Sequence, residues 1–260
     1  MSMVQERTAI VTGASRGLGK ELVRLLVRDI GVQRVWAIAR SELRLRELRS
    51  ELGEKIEIFP ADLTERSAVD RLSVALQERQ PQIVYLVNDA GFGKFGPSRG
   101  VAVGDVWDMV ALNAGALAAV TQVCLPYIGQ GGCIMNVCSI AAFHPLPYMN
   151  VYSATKVFSL HYSLALRREL RQAGVNVTAV CPGWMDTAFL DRAREGVGHM
   201  VTRYAGITTP ERVARKALRD ARRGRSRSLC GVFSHLTFWA SRLLPRSLVT
   251  RLWLMQQHLS

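Results

Sequence analysis

From residue 8 to residue 180, short apolar runs alternate with amphipathic stretches. Residues 8–12, 35–39, 56–59, 83–87, 133–137 and 175–180 are aliphatic or β-branched runs of strand length, and each predicts a buried strand. Leu22, Leu25 and Leu26 recur at helical spacing within residues 20–29, and further helical stretches follow at 41–52 and 65–79. Strands that are apolar on both faces and separated by helices predict a parallel sheet covered on each side. The expected fold class is α/β, a doubly wound parallel sheet with an amphipathic C-terminal extension.

That extension begins where the pattern changes, near residue 220. Arg222, Arg223, Arg225 and Arg227 precede residues 228–241, which contain no Asp, Glu, Lys or Arg but do contain Leu229, Val232, Phe233, Leu236, Phe238 and Trp239. The run is too short for a membrane span, which needs roughly 20 residues. Beyond Pro245, Leu248, Val249, Leu252, Trp253 and Met255 with Arg246 and Arg251 make a second amphipathic piece. Such pieces cover a protein surface or lie on a bilayer. Packing on the protein itself is expected first, peripheral membrane contact second.

Composition narrows the class. A chain of 260 residues that is 48% hydrophobic can bury one large core, so residues 1–260 read as one domain. The five cysteines form no Cys-x-x-Cys pair, which suggests neither a metal site nor a disulfide framework and fits a reducing compartment. Glu6 and Arg7 run directly into the first strand without a leader pattern, so a cytoplasmic location is expected. Of the net charge of +13, +10 falls in residues 203–260. This is either an anion-attracting surface or a solvated helix face. No nucleic-acid-reading motif accompanies it, and nucleic acid is not an expected partner.

The chemistry concentrates in two places. Tyr152 and Lys156 stand four residues apart on a predicted helix, hence on one face. An isolated phenol has a pKa of about 10; a neighbouring ammonium lowers it, which predicts a tyrosine able to exchange a proton near pH 7. Ser139 lies thirteen residues upstream and supplies a hydroxyl for a carbonyl oxygen as negative charge builds there. Near the N-terminus, Gly13, Gly17 and Gly19 enclose Ser15, Arg16 and Leu18 between the first strand and the first helix. A helix N-terminus at that point faces an anionic ligand, and side chains there would block a pyrophosphate.

Jointly these marks resemble the short-chain dehydrogenase/reductase family. Asp62 and Leu63 follow the third strand, Asn88-Asp89-Ala90-Gly91 the fourth, Asn113 lies in the next helix, and Pro182-Gly183 follow the sixth strand with Thr187 beyond. The resemblance covers residues 8 to about 190. It implies a Rossmann-like fold, a nicotinamide dinucleotide held by these segments, and hydride transfer to or from a carbonyl carbon. Tyr152 would exchange the proton, Lys156 would also hold the nicotinamide ribose, Ser139 would orient the carbonyl, and Asn113 would hold a water linking Lys156 to solvent. Thr187 would contact the carboxamide. Asp89 departs from the family's usual asparagine or alanine and is expected to alter hydrogen bonding under the adenine end. The resemblance also implies a homodimer or homotetramer.

Cofactor choice follows from charge. An acidic residue ending the second strand would hold the 2′-hydroxyl of NAD; here Ala39-Arg40-Ser41 stands, and Arg40 with Arg16 can pair a 2′-phosphate, so NADP(H) is expected. Residues 188–208, with Gly196, Gly198 and Gly206, read as a lid. Phe92, Phe143, Leu146, Tyr148, Met149, Trp184 and Phe189 lie on segments expected around the substrate and suit a bulky apolar ketone or alcohol, such as a hydroxysteroid or bile acid. Reduction of a 3-oxoacyl thioester is the nearest alternative. A non-catalytic NADP-sensing or nucleic-acid-binding protein is the alternative of another class.

Overall fold

A computed structural model describes residues 5–197 and 200–259, so Gly198 of the expected lid lies outside the described residues. Strands β1 (Arg7–Thr12), β2 (Arg34–Ala39), β3 (Ile56–Pro60), β4 (Gln82–Asn88), β5 (Cys133–Val137), β6 (Asn176–Cys181) and β7 (Arg227–Leu229) form one parallel sheet in the order β3-β2-β1-β4-β5-β6-β7. The first six match the predicted runs. β7 was not predicted, because three residues flanked by arginine carry too little apolar periodicity to stand out.

Alternation along each strand builds two cores. Ile10, Trp36, Ile38 and Ile134 pack on one face, and Ala9, Val11, Val35, Ala37 and Met135 on the other. Helices α1 (Gly17–Val27), α2 (Glu42–Leu52) and α3 (Arg66–Arg79) connect the first four strands. Next come α4 (Val103–Val110), a π turn at Ala111–Ala116, α5 (Leu117–Cys124) and α6 (Asn150–Glu169). The continuous helical run Val103–Tyr127 is long and apolar enough to cross a membrane by length and composition, yet half of its apolar window is buried against the fold.

The C-terminal third closes the molecule around the strand ends. α7 (Ala188–Arg194) begins the segment expected to act as a lid, α8 (Pro210–Arg222) packs against α1, and α9 (Val232–Leu243) and α10 (Arg246–Gln257) form a hairpin. Within that segment, Gly206 sits at φ +69° against the Phe233 side chain of α9. The Trp253 indole donates to the Pro147 carbonyl at 3.1 Å, and the Gln257 side chain accepts from Thr202 N–H at 3.0 Å and donates to the Arg203 carbonyl at 2.9 Å. One face of the tail thus packs on the protein, as expected.

Candidate active site

The carboxyl ends of β1 to β6 border a cavity of about 1240 Å³, set where the strand order reverses between β1 and β4. α6 packs against β5 and β6 and buries Tyr152 and Lys156 at the cavity floor. Lys156 Nζ donates to the Val137 carbonyl at 2.9 Å and lies 5.7 Å from the Tyr152 ring centre. Ser139 follows β5; its Oγ accepts from the Ala141 N–H at 3.1 Å and hydrogen-bonds the Tyr152 hydroxyl. Phe95 and Phe189 hold the Tyr152 ring at centre distances of 5.4 and 5.6 Å.

This wall has an electrostatic consequence. Burial raises the Tyr152 phenol well above its ordinary value, against the pull of the Ser139 hydrogen bond, and burial also lowers the Lys156 ammonium. The direction is opposite to the lowering expected from its neighbour: loss of hydration outweighs the Ser139 hydrogen bond. Tyr152 stays a neutral proton donor at pH 7.

Asn113 lies in the π turn, a distortion that turns its side chain toward the site. Its Oδ1 accepts from the Phe92 N–H at 3.0 Å, and its Nδ2 donates to the Phe92 carbonyl at 2.8 Å and to Thr155 Oγ1 at 3.1 Å. A side chain so fully engaged pins the loop after β4 onto α6. A side chain at Gly91 would meet Asn113 Oδ1 at 2.9 Å.

At the other end, Ser15, Arg16, Gly17, Leu18, Asp62, Leu63, Ala90 and Gly91 all border the cavity. Gly13 has φ +72°, and a Cβ there would meet the Ala90 N at 2.9 Å. Thr12 Oγ1 accepts from the N–H groups of Asp89 and Ala90, 3.1 Å each, locking the two loops together. Pro182, Gly183 and Thr187 complete the opposite rim, Thr187 across from Gly17. Asn88 is a correction. Its side chain donates to Thr121 Oγ1 and Asn136 Oδ1 at 2.9 Å each, inside the core and away from the cavity, so it ties β4 to β5 and α5.

Asp89 also borders the cavity, and its carboxyl lies against the Gly19 backbone N–H at the start of α1. Burial, opposed by Lys156 and the Gly19 hydrogen bond, pushes it up to about 7. A raised carboxyl pKa gives stability that is fully present below the unfolded value near 4 and is lost as pH rises through 7. Asp89→Asn is accordingly expected to flatten the fall in Tm between pH 5 and pH 8; an unchanged slope would show that this carboxyl does not titrate there.

Arg40 pairs with Asp62 at 3.8 Å, and both border the cavity. Burial works against ionisation of Asp62, but two hydrogen bonds from Thr64 and the charges of Arg40 and Arg192 hold its carboxyl below the usual range. Two arginines were missed by sequence reasoning: Arg44, one helical turn into α2, and Arg192, whose guanidinium lies 3.8 Å over the Phe92 ring. Arg44 stands on the predicted 41–52 helix and Arg192 in the 188–208 segment, and only the fold turns them inward.

Of the expected substrate residues, Phe92, Leu146, Met149, Trp184 and Phe189 border the cavity. Phe143 and Tyr148 do not. Phe143 packs on Phe238 at 5.2 Å, and Tyr148, in the left-handed region at φ +66°, packs half-buried against the core. Instead α9 and α10 supply wall residues, among them Phe233, Leu236, Leu252 and Trp253. A nicotinamide dinucleotide fits the cavity: glycines clear the α1 N-terminus, arginines flank the β2 end, and a buried hydroxyl pair sits at the far floor.

Comparison with known proteins agrees. Residues 7–198 match the family described as short chain dehydrogenase. Serine 3-dehydrogenase of Agrobacterium fabrum is 36% identical over 184 residues, 70% of this chain and 73% of that protein. The NADP-dependent 3-hydroxy acid dehydrogenase YdfG of Escherichia coli K12 is 34% identical over 177 residues, 67% and 71% of the two chains. Among solved structures, a short-chain dehydrogenase from Sphingobium yanoikuyae in complex with NADPH superposes with a TM-score of 0.74 at 27% identity, covering 91% of this chain and 93% of that one. With the sheet, the glycine turn and the Ser139–Tyr152–Lys156 floor in agreement with it, the match places this chain in the short-chain dehydrogenase/reductase family, as an oxidoreductase.

Proposed function

We propose that this protein, acting as a single domain, interconverts a bulky, largely apolar ketone and its secondary alcohol with NADP(H). The observation that carries this is one continuous cavity with arginines at the β2 end, Ser139 and Tyr152 at its floor, and an aromatic and aliphatic wall beyond. When bound, the dinucleotide supplies or accepts the hydride. Tyr152 gives its proton to the carbonyl oxygen as the oxygen gains charge, and Ser139 donates a hydrogen bond to that same oxygen. Lys156 uses one hydrogen on Val137, leaving two for the Tyr152 oxygen and ribose hydroxyls. Arg16, Arg40 and Arg44 take the 2′-phosphate, and Thr187 the carboxamide.

The serine and 3-hydroxy acid relatives do not carry over their substrates. α9 and α10, which wall the substrate end, lie beyond the family match at residue 198. Two polar atoms at that end, His144 Nδ1 and Gln256 Nε2, are buried without a partner among the described residues. An unpaired buried group costs about 1–3 kcal/mol, so a substrate carrying a second oxygen gains affinity over a pure hydrocarbon ketone. NADPH oxidation with hydroxylated ketosteroids, bile-acid ketones, 3-oxoacyl thioesters and short 3-oxo acids tests this. Preference for the short acids would overturn it.

The protein is further proposed to work as a homodimer. Val103, Trp107 and Val110 form an exposed stripe on α4, beside exposed Phe158 on α6. Such an apolar face suits a second copy.

A further inference from the structure

A second exposed apolar face surrounds the mouth of the cavity. On α9, Val232, Leu236, Trp239 and Leu243 recur at intervals of four, three and four residues and are 76%, 63%, 55% and 75% exposed. On α10, Leu248, Leu252 and Met255 repeat the pattern. Spacings of three and four place each set on one side of its helix. The two stripes meet at the opening, because Leu236 and Leu252 are exposed residues that also line the cavity. The opposite sides of the helices are the ones that pack, through Ser234, Val249, Trp253 and Gln257.

We propose that the α9–α10 hairpin docks on an anionic lipid bilayer, so that the cavity opens into the membrane and apolar substrate enters from it. Charge selects this occupant over a second copy of the chain. Arg242, Arg246 and Arg251 are exposed around the stripes, and residues 221–260 contain neither Asp nor Glu. A two-fold contact through this face would set the same arginines against one another with no acid to pair them. Anionic headgroups neutralise them, while the stripes enter the headgroup–acyl boundary. The twelve-residue helices lie on the surface and do not cross it.

The entry of substrate from lipid rests on the apolar-substrate reading above. The docking itself does not, and its test uses neither substrate nor cofactor. The full chain is sedimented with vesicles of phosphatidylcholine alone or mixed with phosphatidylglycerol. Binding is expected to the mixed vesicles, weakened by salt. Leu243→Glu with Leu248→Glu is expected to weaken it about a hundredfold, and serine at Arg242, Arg246 and Arg251 together to a similar degree, about fivefold per charge. Neither set lines the cavity, so the thermal melt and the oligomeric mass in solution should be unchanged. Absence of binding to phosphatidylglycerol vesicles at low salt would overturn the proposal. So would a double variant that alters the oligomeric mass and leaves lipid binding intact, since that places a second copy on the face.

Discussion

Tyr152→Phe is expected to lower ketone reduction about a thousandfold while NADPH binding, followed by its fluorescence, changes less than threefold, the range general acid catalysis supplies. The substitution keeps the ring between Phe95 and Phe189 and removes only the hydroxyl that Ser139 contacts. Retention of a tenth of wild-type turnover would exclude Tyr152 as the proton donor. The raised phenol sets the pH behaviour. A neutral tyrosine is the acid that reduction needs, so reduction should hold steady from pH 6 to pH 8. Alcohol oxidation needs the phenolate and should rise with pH across the same interval. A fall in oxidation toward alkaline pH would contradict a phenol held above its ordinary value.

Arg40→Asp is expected to shift the ratio of kcat/KM for NADPH over NADH by about a hundredfold toward NADH. It removes a cation that would pair the 2′-phosphate and installs a carboxylate that repels it, so attraction and repulsion act together. Arg40 is more than half exposed and its contact with Asp62 is loose at 3.8 Å, so stability should hardly change. Steady-state kinetics with both dinucleotides decide the matter, and an unaltered ratio would move the reading of the 2′-position to Arg16 and Arg44.

Most of this site was legible because its parts are local. The glycine turn, Ser139, and Tyr152 with Lys156 each depend on a strand end or one helical turn, and such spacing is written directly in the chain. What escaped was long-range. Asn88 reads like its neighbours Ala90 and Gly91, but strand alternation turns it into the core toward Asn136. Asn113 sits in a π turn that commits both ends of its amide to Phe92, a distortion that no spacing in the chain announces. Arg192 and Trp253 meet the cavity only because the 188–208 segment and α10 fold back over it. The Tyr152 shift was misjudged for a related reason: the sequence shows the neighbouring ammonium, but not the aromatic rings that exclude water.

The roof over the substrate is fastened to the rest chiefly by Trp253 on Pro147 and Gln257 on the 202–203 segment. Acid, serine and dinucleotide cradle belong to a different stretch of chain. Evolution, or a protein engineer, can therefore exchange residues 231–257 as a cassette, redrawing which molecules are accepted while the reaction itself is inherited unaltered.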